Sequence, residues 1–506
     1  MSTPFVTHPI HAAVPLGAGA TLVTVRASAS PARVPSLVIN VPPDASDVDA
    51  GAVREAERTI AAALRTSGVC LDGHGVVVVV DVGGMPNSVW VRSTHALHLA
   101  LAVAVAAAID KIDLAPFTGH VFAAGLSTYG LLAVPRGLVG IARAAWTDGN
   151  AGLVTADDEA NSSGVGLVEG LELRAARQLC EVLDAVRTGD LGRLTRRVGA
   201  PRVNPVPFDP GLWDTIPPMV RRVLSIAAAG GHHTLFIASL STAPTVWARA
   251  LAALLPDPTE GEALDIASVH SAAGIGGFAS RPWRAPHHTA SAMGLVGGGD
   301  PPRPGEIALA DGGVLFLDGL AEFPREGTAA VADALRDRAV VIVRGGRSVR
   351  YEARLQLVAT TLPCPCGFGV KSEACECGRA RVGRYLERVS VPLGGHFDLV
   401  LRVAAPGSCG APPTGGGWTL REARVVVRMA RERAEARQLA GVFGRPAPQV
   451  VGVPEGPRRA HVARVARTIA DLAGADVVAP MHIDEALNVT DFARAAGLHL
   501  HVPAYR

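Results

Sequence analysis

The spacing of hydrophobic positions changes along the chain and divides it into regions of different predicted structure. Near the N-terminus, apolar segments at residues 22–25 and 76–80 predict strands, and helical spacing at residues 52–67 and 95–109 predicts two helices. Strands and helices mixed in this way predict an α/β domain. A polar, proline-rich stretch at residues 196–217 then interrupts every periodicity and is predicted to be a linker.

The middle of the chain has the pattern of a second α/β domain. Short apolar segments predict four strands of a largely parallel sheet, at residues 234–238, 314–318, 340–344 and 355–360. A Gly- and Pro-rich break follows, and helical spacing recurs at residues 420–438, 458–473 and 483–496. The predicted organisation is an α/β domain (1–195), a linker (196–217), a parallel-sheet core (218–405), a second linker (406–417) and a helical domain (418–506).

Composition and charge exclude few functions. The 506 residues suffice for several hydrophobic cores, and a net charge of +2 predicts no strong overall attraction to nucleic acid. Residues 1–14 lack the basic segment and apolar run of a secretory signal. The apolar run at residues 96–109 is shorter than the roughly 20 residues that span a bilayer, and it predicts a buried helix. We therefore expect a cytoplasmic protein without a membrane partner.

Four of the seven cysteines are close together in the sequence. Cys364 and Cys366 form one C-x-C pair, and eight residues later Cys375 and Cys377 form a second pair. Four thiolates are enough for a closed tetrahedral zinc site, so the sequence predicts zinc as a cofactor. The alternative is a set of reduced thiols without metal. Disulfides are not expected without an export signal.

A series of motifs in the second half of the chain carries a family resemblance. Residues 281–318 read RPWRAPHHTASAMGLVGGGDPPRPGEIALADGGVLFLD, and LAEFPRE (320–326), PCPCG (363–367), RYLERVS (384–390) and VARTIADLAG (465–474) follow in order. This series resembles the magnesium-chelatase-like AAA+ family of the ComM and YifB type. The resemblance is strong over residues 218–496. It is weaker over the first 190 residues, which resemble the family's N-terminal domain with the fold of the Lon protease C-terminal domain.

The resemblance implies a fold, an activity and partners. The fold would be an AAA+ P-loop-type parallel sheet with a small helical lid. The activity would be that of an ATP- and magnesium-dependent motor working on branched DNA. The partners would be further subunits of a homo- or hetero-oligomeric ring, with branched or single-stranded DNA as the substrate.

The phosphate-binding loop departs from the pattern that such a motor needs. A P-loop needs glycines for an anion-binding nest, a Lys for the outer phosphates and a hydroxyl for magnesium. The loop at residues 238–245 reads ASLSTAPT: it begins at Ala238, contains no glycine and places Pro244 at the lysine position, while Thr245 keeps the hydroxyl. Ser241 or Thr242 is predicted to cap the following helix. The chain's two lysines, Lys111 and Lys371, lie in other segments.

The resemblance also assigns the other hydrolytic positions. Asp318 is the retained Walker B carboxylate, but Gly319 stands where the family has its catalytic Glu, and Glu322 is expected to face elsewhere. Leu362 replaces the Asn of the first sensor, and His396 replaces the arginine finger. The second sensor, near Arg458 or Arg459, has no clear register. Because an arginine finger alone accounts for roughly 10³ to 10⁵ in rate, several such losses predict a degenerate, non-hydrolysing member.

The chain also contains a basic segment after the phosphate-binding loop. Arg281, Arg284, His287 and His288 are rich in hydrogen-bond donors and precede the glycines at residues 297–299. In a ring, such a loop could contact DNA phosphates, and the equal alternative is packing at a subunit boundary.

The sequence leaves several functions open. The preferred hypothesis is a scaffold or inactive ring partner that retains the fold. The alternatives are an active AAA+ DNA motor with unusual catalytic residues, a magnesium-chelatase-type subunit that acts with a metal-insertion partner, and a poorly folded product of a decaying gene.

Overall fold

The computed structural model describes most of the chain, in thirteen stretches. These are residues 4–40, 50–82, 94–158, 163–197, 206, 208–239, 243–276, 280–344, 347–369, 374–403, 417–442, 452–453 and 458–490. The predicted capping residues Ser241 and Thr242, Lys371, nearly all of the linker at 406–417 and the end of the last predicted helix at 491–496 lie outside these stretches.

Helices and strands alternate through both halves of the described chain. The strands are β1 Phe5–Val6, β2 Ile10–Leu16, β3 Gly19–Pro31, β4 Ser36–Asn40, β5 His74–Asp81, β6 His120–Phe122, β7 Gly125–Leu126, β8 Leu132–Ala133, β9 Gly152–Ala156, β10 Glu172–Ala176, β11 Thr195–Arg197, β12 Thr234–Ala238, β13 Trp283–Arg284, β14 Gly297–Gly298, β15 Arg303–Pro304, β16 Val314–Leu317, β17 Ala339–Arg344, β18 Arg347–Glu352, β19 Gln356–Thr361 and β20 Leu399–Val403.

The α-helices are α1 Ala50–Thr66, α2 His98–Asp110, α3 Leu138–Thr147, α4 Leu179–Arg187, α5 Pro218–Gly230, α6 Pro244–Leu254, α7 Glu260–Ala273, α8 Ala292–Val296, α9 Glu306–Leu309, α10 Arg325–Asp337, α11 Arg379–Leu393, α12 Leu420–Val442, α13 Arg459–Leu472 and α14 Pro480–Thr490. Short 3₁₀ turns lie at Thr94–Leu97, Ala115–Phe117, Ser163–Leu167, Leu191–Arg193, Pro210–Thr215 and Leu320–Glu322. Together these elements confirm the predicted α/β class.

The N-terminal half forms a nine-stranded mixed sheet, with β1 paired to β3 and the others in the order β11-β10-β9-β6-β2-β3-β5-β4. Helix α2 packs on β3 and β5 and is buried over nearly its whole length, from His98 to Ala108. A helix that is apolar on all sides is buried, so the predicted buried helix is confirmed.

The second half contains a five-stranded sheet in the order β13-β16-β19-β12-β20, and all its pairs are parallel. The earliest strand, β12, lies between β19 and β20, so the chain changes direction across the sheet at this strand. In open parallel sheets, ligands bind outside the carboxyl ends of the strands at such a switch point. The loop after β12 is therefore at the expected place for a ligand.

The structure corrects the sequence prediction at three strands. The segment at residues 340–344 is predicted to join the parallel sheet, but Ala339–Arg344 forms an antiparallel hairpin with Arg347–Glu352 outside it. Two residues join these strands, and such a short connection permits antiparallel pairing, whereas parallel strands need a long crossover. Two strands of the parallel sheet, Trp283–Arg284 and Leu399–Val403, were not identified by the sequence analysis.

The carboxylate of Asp398 joins three elements below the parallel sheet. Asp398 directly precedes β20, and its side chain is 9% exposed. Its carboxylate contacts Nδ1 of His232, which lies just before β12, at 3.3 Å, and Nδ1 of His461, which lies on α13, at 2.8 Å. Arg464 of α13 also donates to it. Burial by itself raises the pKa of this carboxyl, but the hydrogen bonds from the two histidines and the charge of Arg464 outweigh burial and hold the pKa well below its usual range.

Replacing this carboxylate by an amide is expected to weaken the attachment of α13 to the sheet. Asp398→Asn leaves His232 and Arg464 without their anionic partner, and we expect the free energy of unfolding to fall by about 3 kcal/mol. Urea unfolding followed by circular dichroism would measure this loss. Asp214→Asn is the control, because the Asp214 side chain is 81% exposed and its ion pair contributes about 0–1 kcal/mol. Equal stability of the two variants would contradict the role given to Asp398.

Two buried histidines predict a loss of stability in mild acid. Burial lowers the pKa of His98 and of His233 from 6.5 to about 4, and Nδ1 of His233 accepts the Leu357 N–H at 3.0 Å. Because the unfolded state binds a proton first, stability is complete above pH 6.5 and falls as the pH decreases toward 4. Each residue contributes up to about 3 kcal/mol to this fall.

Unfolding experiments at several pH values between 7.5 and 5 would measure the loss, before most carboxylates titrate. His98→Gln is expected to flatten the pH dependence. A stability that stays constant over this interval would show that the rings are not held in the neutral form.

Candidate functional site

The predicted phosphate site has the expected strand, loop and helix. All five residues of β12 are buried in the sheet, and α6 begins at Pro244. The residue before the helix is Ala243, which makes no side-chain capping bond; the predicted capping residues Ser241 and Thr242 lie outside the described residues. Because Pro244 has no N–H, the first position of the helix offers no donor to an anion.

The two residues that the resemblance assigns to magnesium, Thr245 and Asp318, lie together at the carboxyl ends of the strands. Asp318 follows β16 and is exposed, and Thr245 in the first turn of α6 is 3.5 Å from it, between Oγ1 and Oδ2. Thr360 at the end of β19 donates a 2.6 Å hydrogen bond to Oδ1 of Asp318 and accepts one from the Gly319 N–H at 2.9 Å. A hydroxyl and a carboxylate fit the few protein ligands that magnesium takes beside phosphate oxygens.

The sequence analysis did not select Thr360. The sequence feature that could have indicated Thr360 is a hydroxyl residue near the end of an apolar strand. This strand, β19, pairs with the strand that precedes Asp318. The side chain orients the carboxylate of Asp318 and would hold it in place for a cation.

The position after Asp318 is a glycine without a side chain, and the Cγ of Glu322 lies near it. Gly319 has a φ of +68°, where a side chain is strained. A Cβ placed there would lie 3.9 Å from Cγ of Glu322. The 3₁₀ turn Leu320–Glu322 thus brings the Cγ of Glu322 near this position, and the expectation that its carboxylate faces elsewhere stays a prediction.

Two further positions lack the charge or polarity of a hydrolytic residue. Leu362 is half-buried and packs against the hydrophobic core. Burial, followed by the positive charge of Arg336, lowers the pKa of His396 below its ordinary value. This imidazole is thus neutral at neutral pH, whereas an arginine there would be charged.

The four clustered cysteines converge in the structure. Their Sγ atoms all lie within 4.8 Å of one another. Cys364 and Cys366 are 3.2 Å apart, and Cys375 is 3.8 Å and 3.6 Å from them. Tetrahedral thiolates at about 2.3 Å from a zinc ion lie about 3.8 Å from each other, so the cluster could hold a metal ion of this size. A hydrogen bond from the Phe368 backbone, followed by one from the Cys364 side chain, lowers the pKa of Cys366 to about 6.

Comparisons with known proteins agree with this architecture. The family described as "Magnesium chelatase, subunit ChlI" matches residues 217–408. The chain is 31% identical over 401 residues to competence protein ComM of Haemophilus influenzae, covering 78% of this chain and 76% of that protein. The chain belongs to this magnesium-chelatase-like family. The protein YifB of Escherichia coli is 29% identical over 95% of this chain and 96% of its own length.

Membership of the ComM- and YifB-like AAA+ family carries a general expectation of ATP and magnesium as ligands and of oligomer formation. Within the stretches that the structure describes, no helix has the length and apolar character needed to cross a membrane.

The structure divides the basic segment of this family member into two parts. Arg281 contacts Glu262 at 2.9 Å and the Gly312 carbonyl at 2.7 Å, and Arg284 forms a two-pronged pair with Glu306 at 2.6 Å. These arginines thus neutralise carboxylates of their own subunit. His287 and His288 are exposed, and their ring centroids are 4.0 Å apart. Of the four residues of the basic segment, these two histidines face solvent.

The residues considered for the second sensor lie at the start of α13. Arg458 donates a hydrogen bond to the Phe397 carbonyl at 2.5 Å, and Arg459 is the first, exposed residue of the helix. The contact attaches the lid to the segment before β20.

Proposed function

We propose that this chain is a non-hydrolysing member of the ComM-like AAA+ family that serves as a scaffold or inactive subunit in a ring. The observation that carries the proposal is Pro244 at the first position of α6, where the resemblance expects the phosphate-binding lysine. The proline supplies neither charge nor N–H, so the loop cannot make the strongest contacts to the outer phosphates. The apolar Leu362 and the neutral His396 support the same proposal.

The DNA contact in this proposal belongs to the exposed part of the basic segment. His287 and His288 face solvent and could donate to phosphate oxygens, whereas the paired Arg281 and Arg284 would support the loop from below. Because the net charge of the chain is only +2, any DNA binding would depend on this local surface.

One observation favours a second candidate, an active ATPase. Glu322 lies beside the vacant position at Gly319, and Thr245 and Asp318 retain a possible magnesium pair. In this case Glu322 would polarise the attacking water. A chelatase-type role, the further alternative, would be recognised by co-purification with a large chelatase subunit.

Nucleotide binding and phosphate release separate the first two candidates. We expect no detectable heat when the protein is titrated with a non-hydrolysable ATP analogue and magnesium, and no phosphate release above background with or without branched DNA. Binding near micromolar, about 8 kcal/mol, would contradict the loss of the phosphate site. Release that disappears in Asp318→Asn and Glu322→Gln, but persists in the surface control Asp333→Asn, would establish the active motor.

We also propose that the four cysteines hold a structural zinc ion. The contacts between Cys364, Cys366 and Cys375 match the spacing of tetrahedral thiolates. We expect one zinc per chain by mass spectrometry, and Cys364→Ser is expected to lose it and to lower the melting temperature, because metal binding stabilises only the folded chain. Cys70→Ser is the control, since Cys70 lies outside the cluster. Zinc-free purified protein, or metal lost without a change in stability, would contradict this assignment.

A further inference from the structure

A cavity of about 470 Å³ lies between the N-terminal sheet and the parallel-sheet half of the chain. The N-terminal half contributes the β2–β3 turn around Leu16, His95 and the loop with Arg136; the other half contributes Ala272 at the end of α7, the segment at Arg303, and Val349 of β18. Its volume is in the range of small-molecule sites. We call it the interdomain cavity.

The walls of the interdomain cavity are fixed by contacts between the two halves. The Gly137 N–H donates to the Ser271 carbonyl at 2.9 Å, and the hydroxyl of Ser271 accepts the Val139 N–H at 3.3 Å. These bonds hold the loop of Arg136 against the end of α7. Within the second half of the chain, the Tyr351 hydroxyl donates to the Pro302 carbonyl at 3.2 Å and holds the segment that carries Arg303.

Glycines at the contact allow the two halves to approach closely. Gly17 has a φ of +62°, and a Cβ there would lie 2.6 Å from Cγ1 of Val349. A Cβ at Gly274 would lie 3.2 Å from Nε of Arg136. The cavity is therefore part of a close-packed junction, with the side chain of Arg136 lying along the backbone of the other half.

The charge in the interdomain cavity is unbalanced. Arg136 and Arg303 both line it, and none of its lining residues is a carboxylate. Within the described part of the chain, neither guanidinium has an ion pair or a hydrogen bond to a side chain, in contrast to Arg281 and Arg284. Both arginines are exposed, and burial, followed by the positive charge of Arg303, lowers the pKa of Arg136, which indicates that the two cations repel each other.

We propose that the interdomain cavity binds a small organic anion, with a phosphate or carboxylate group held between Arg136 and Arg303 and an apolar body against the proline- and alanine-rich wall. An anion between the two guanidiniums removes their repulsion and forms charge-assisted hydrogen bonds. His95 supplies a further polar group at the same rim. A bound ligand would touch both halves and strengthen their junction. This site is independent of the nucleotide site.

Isothermal titration of the full chain with phenyl phosphate tests the proposal, since this probe combines a phosphate with an apolar ring. We expect saturable binding at one site, weaker binding of inorganic phosphate and of phenol, and a rise in melting temperature with phenyl phosphate. No saturation at millimolar concentrations would overturn the proposal. Inorganic phosphate bound as tightly as phenyl phosphate would overturn the apolar part of the site.

Variants locate the binding. Arg136→Gln and Arg303→Gln are each expected to weaken phenyl phosphate binding roughly tenfold to a hundredfold, and Ala133→Phe is expected to block the cavity from its wall. Arg33→Gln is the matched control, because Arg33 is exposed and does not line the cavity. Thr245→Val should leave binding unchanged. Affinity that is unaffected by both cavity arginines, or lost in Thr245→Val, would overturn the assignment.

Discussion

The buried carboxylate of Asp398 is the contact on which the second half of the molecule depends. It joins the start of β12, the start of β20 and helix α13 through His232, His461 and Arg464. His232 also contacts the Thr468 hydroxyl through Nε2 at 2.9 Å, and a Cβ at Gly230 would lie only 2.2 Å from that nitrogen. The first strand, the last strand and the lid are thus held by one charged cluster. A buried charge is tolerated only with such complete pairing.

This cluster and the expected nucleotide site lie at opposite ends of the strands of the same parallel sheet. His232 and Asp398 precede their strands, whereas Asp318 and Thr360 lie at the carboxyl ends of theirs. The residues that hold the sheet and lid together are therefore different from those expected to act on phosphate. Pro244 and Gly319, near the carboxyl ends of the strands, take no part in the Asp398 cluster. The proposed change of the nucleotide site therefore removes none of the contacts of this cluster, and a fold can persist when the function of a site differs.

The sequence alone predicted the features that depend on local patterns. The strands β12, β16 and β19 and the buried helix α2 follow from apolar periodicity, and the cysteine cluster follows from spacing. It failed where distant residues decide the outcome. The segment at 340–344 is as apolar as a core strand but forms a hairpin with its neighbour, and Leu399–Val403 was missed because it contains Arg402. Asp398 meets partners 166 and 63 residues away, which no local pattern reveals.

The arginines show the same dependence on tertiary neighbours. Arg281 and Arg284 belong to a recognisable basic motif, yet Glu262 and Glu306 neutralise them within the subunit. Arg136 belongs to no quoted motif and Arg303 was not selected within the stretch 281–318, but folding places both at a junction whose lining contains no carboxylate. The charge available to a ligand is what remains after internal pairing, so a count of basic residues in the sequence cannot locate it. In this protein, part of that remaining charge lies between the two halves of the chain, whereas Arg281 and Arg284 are neutralised.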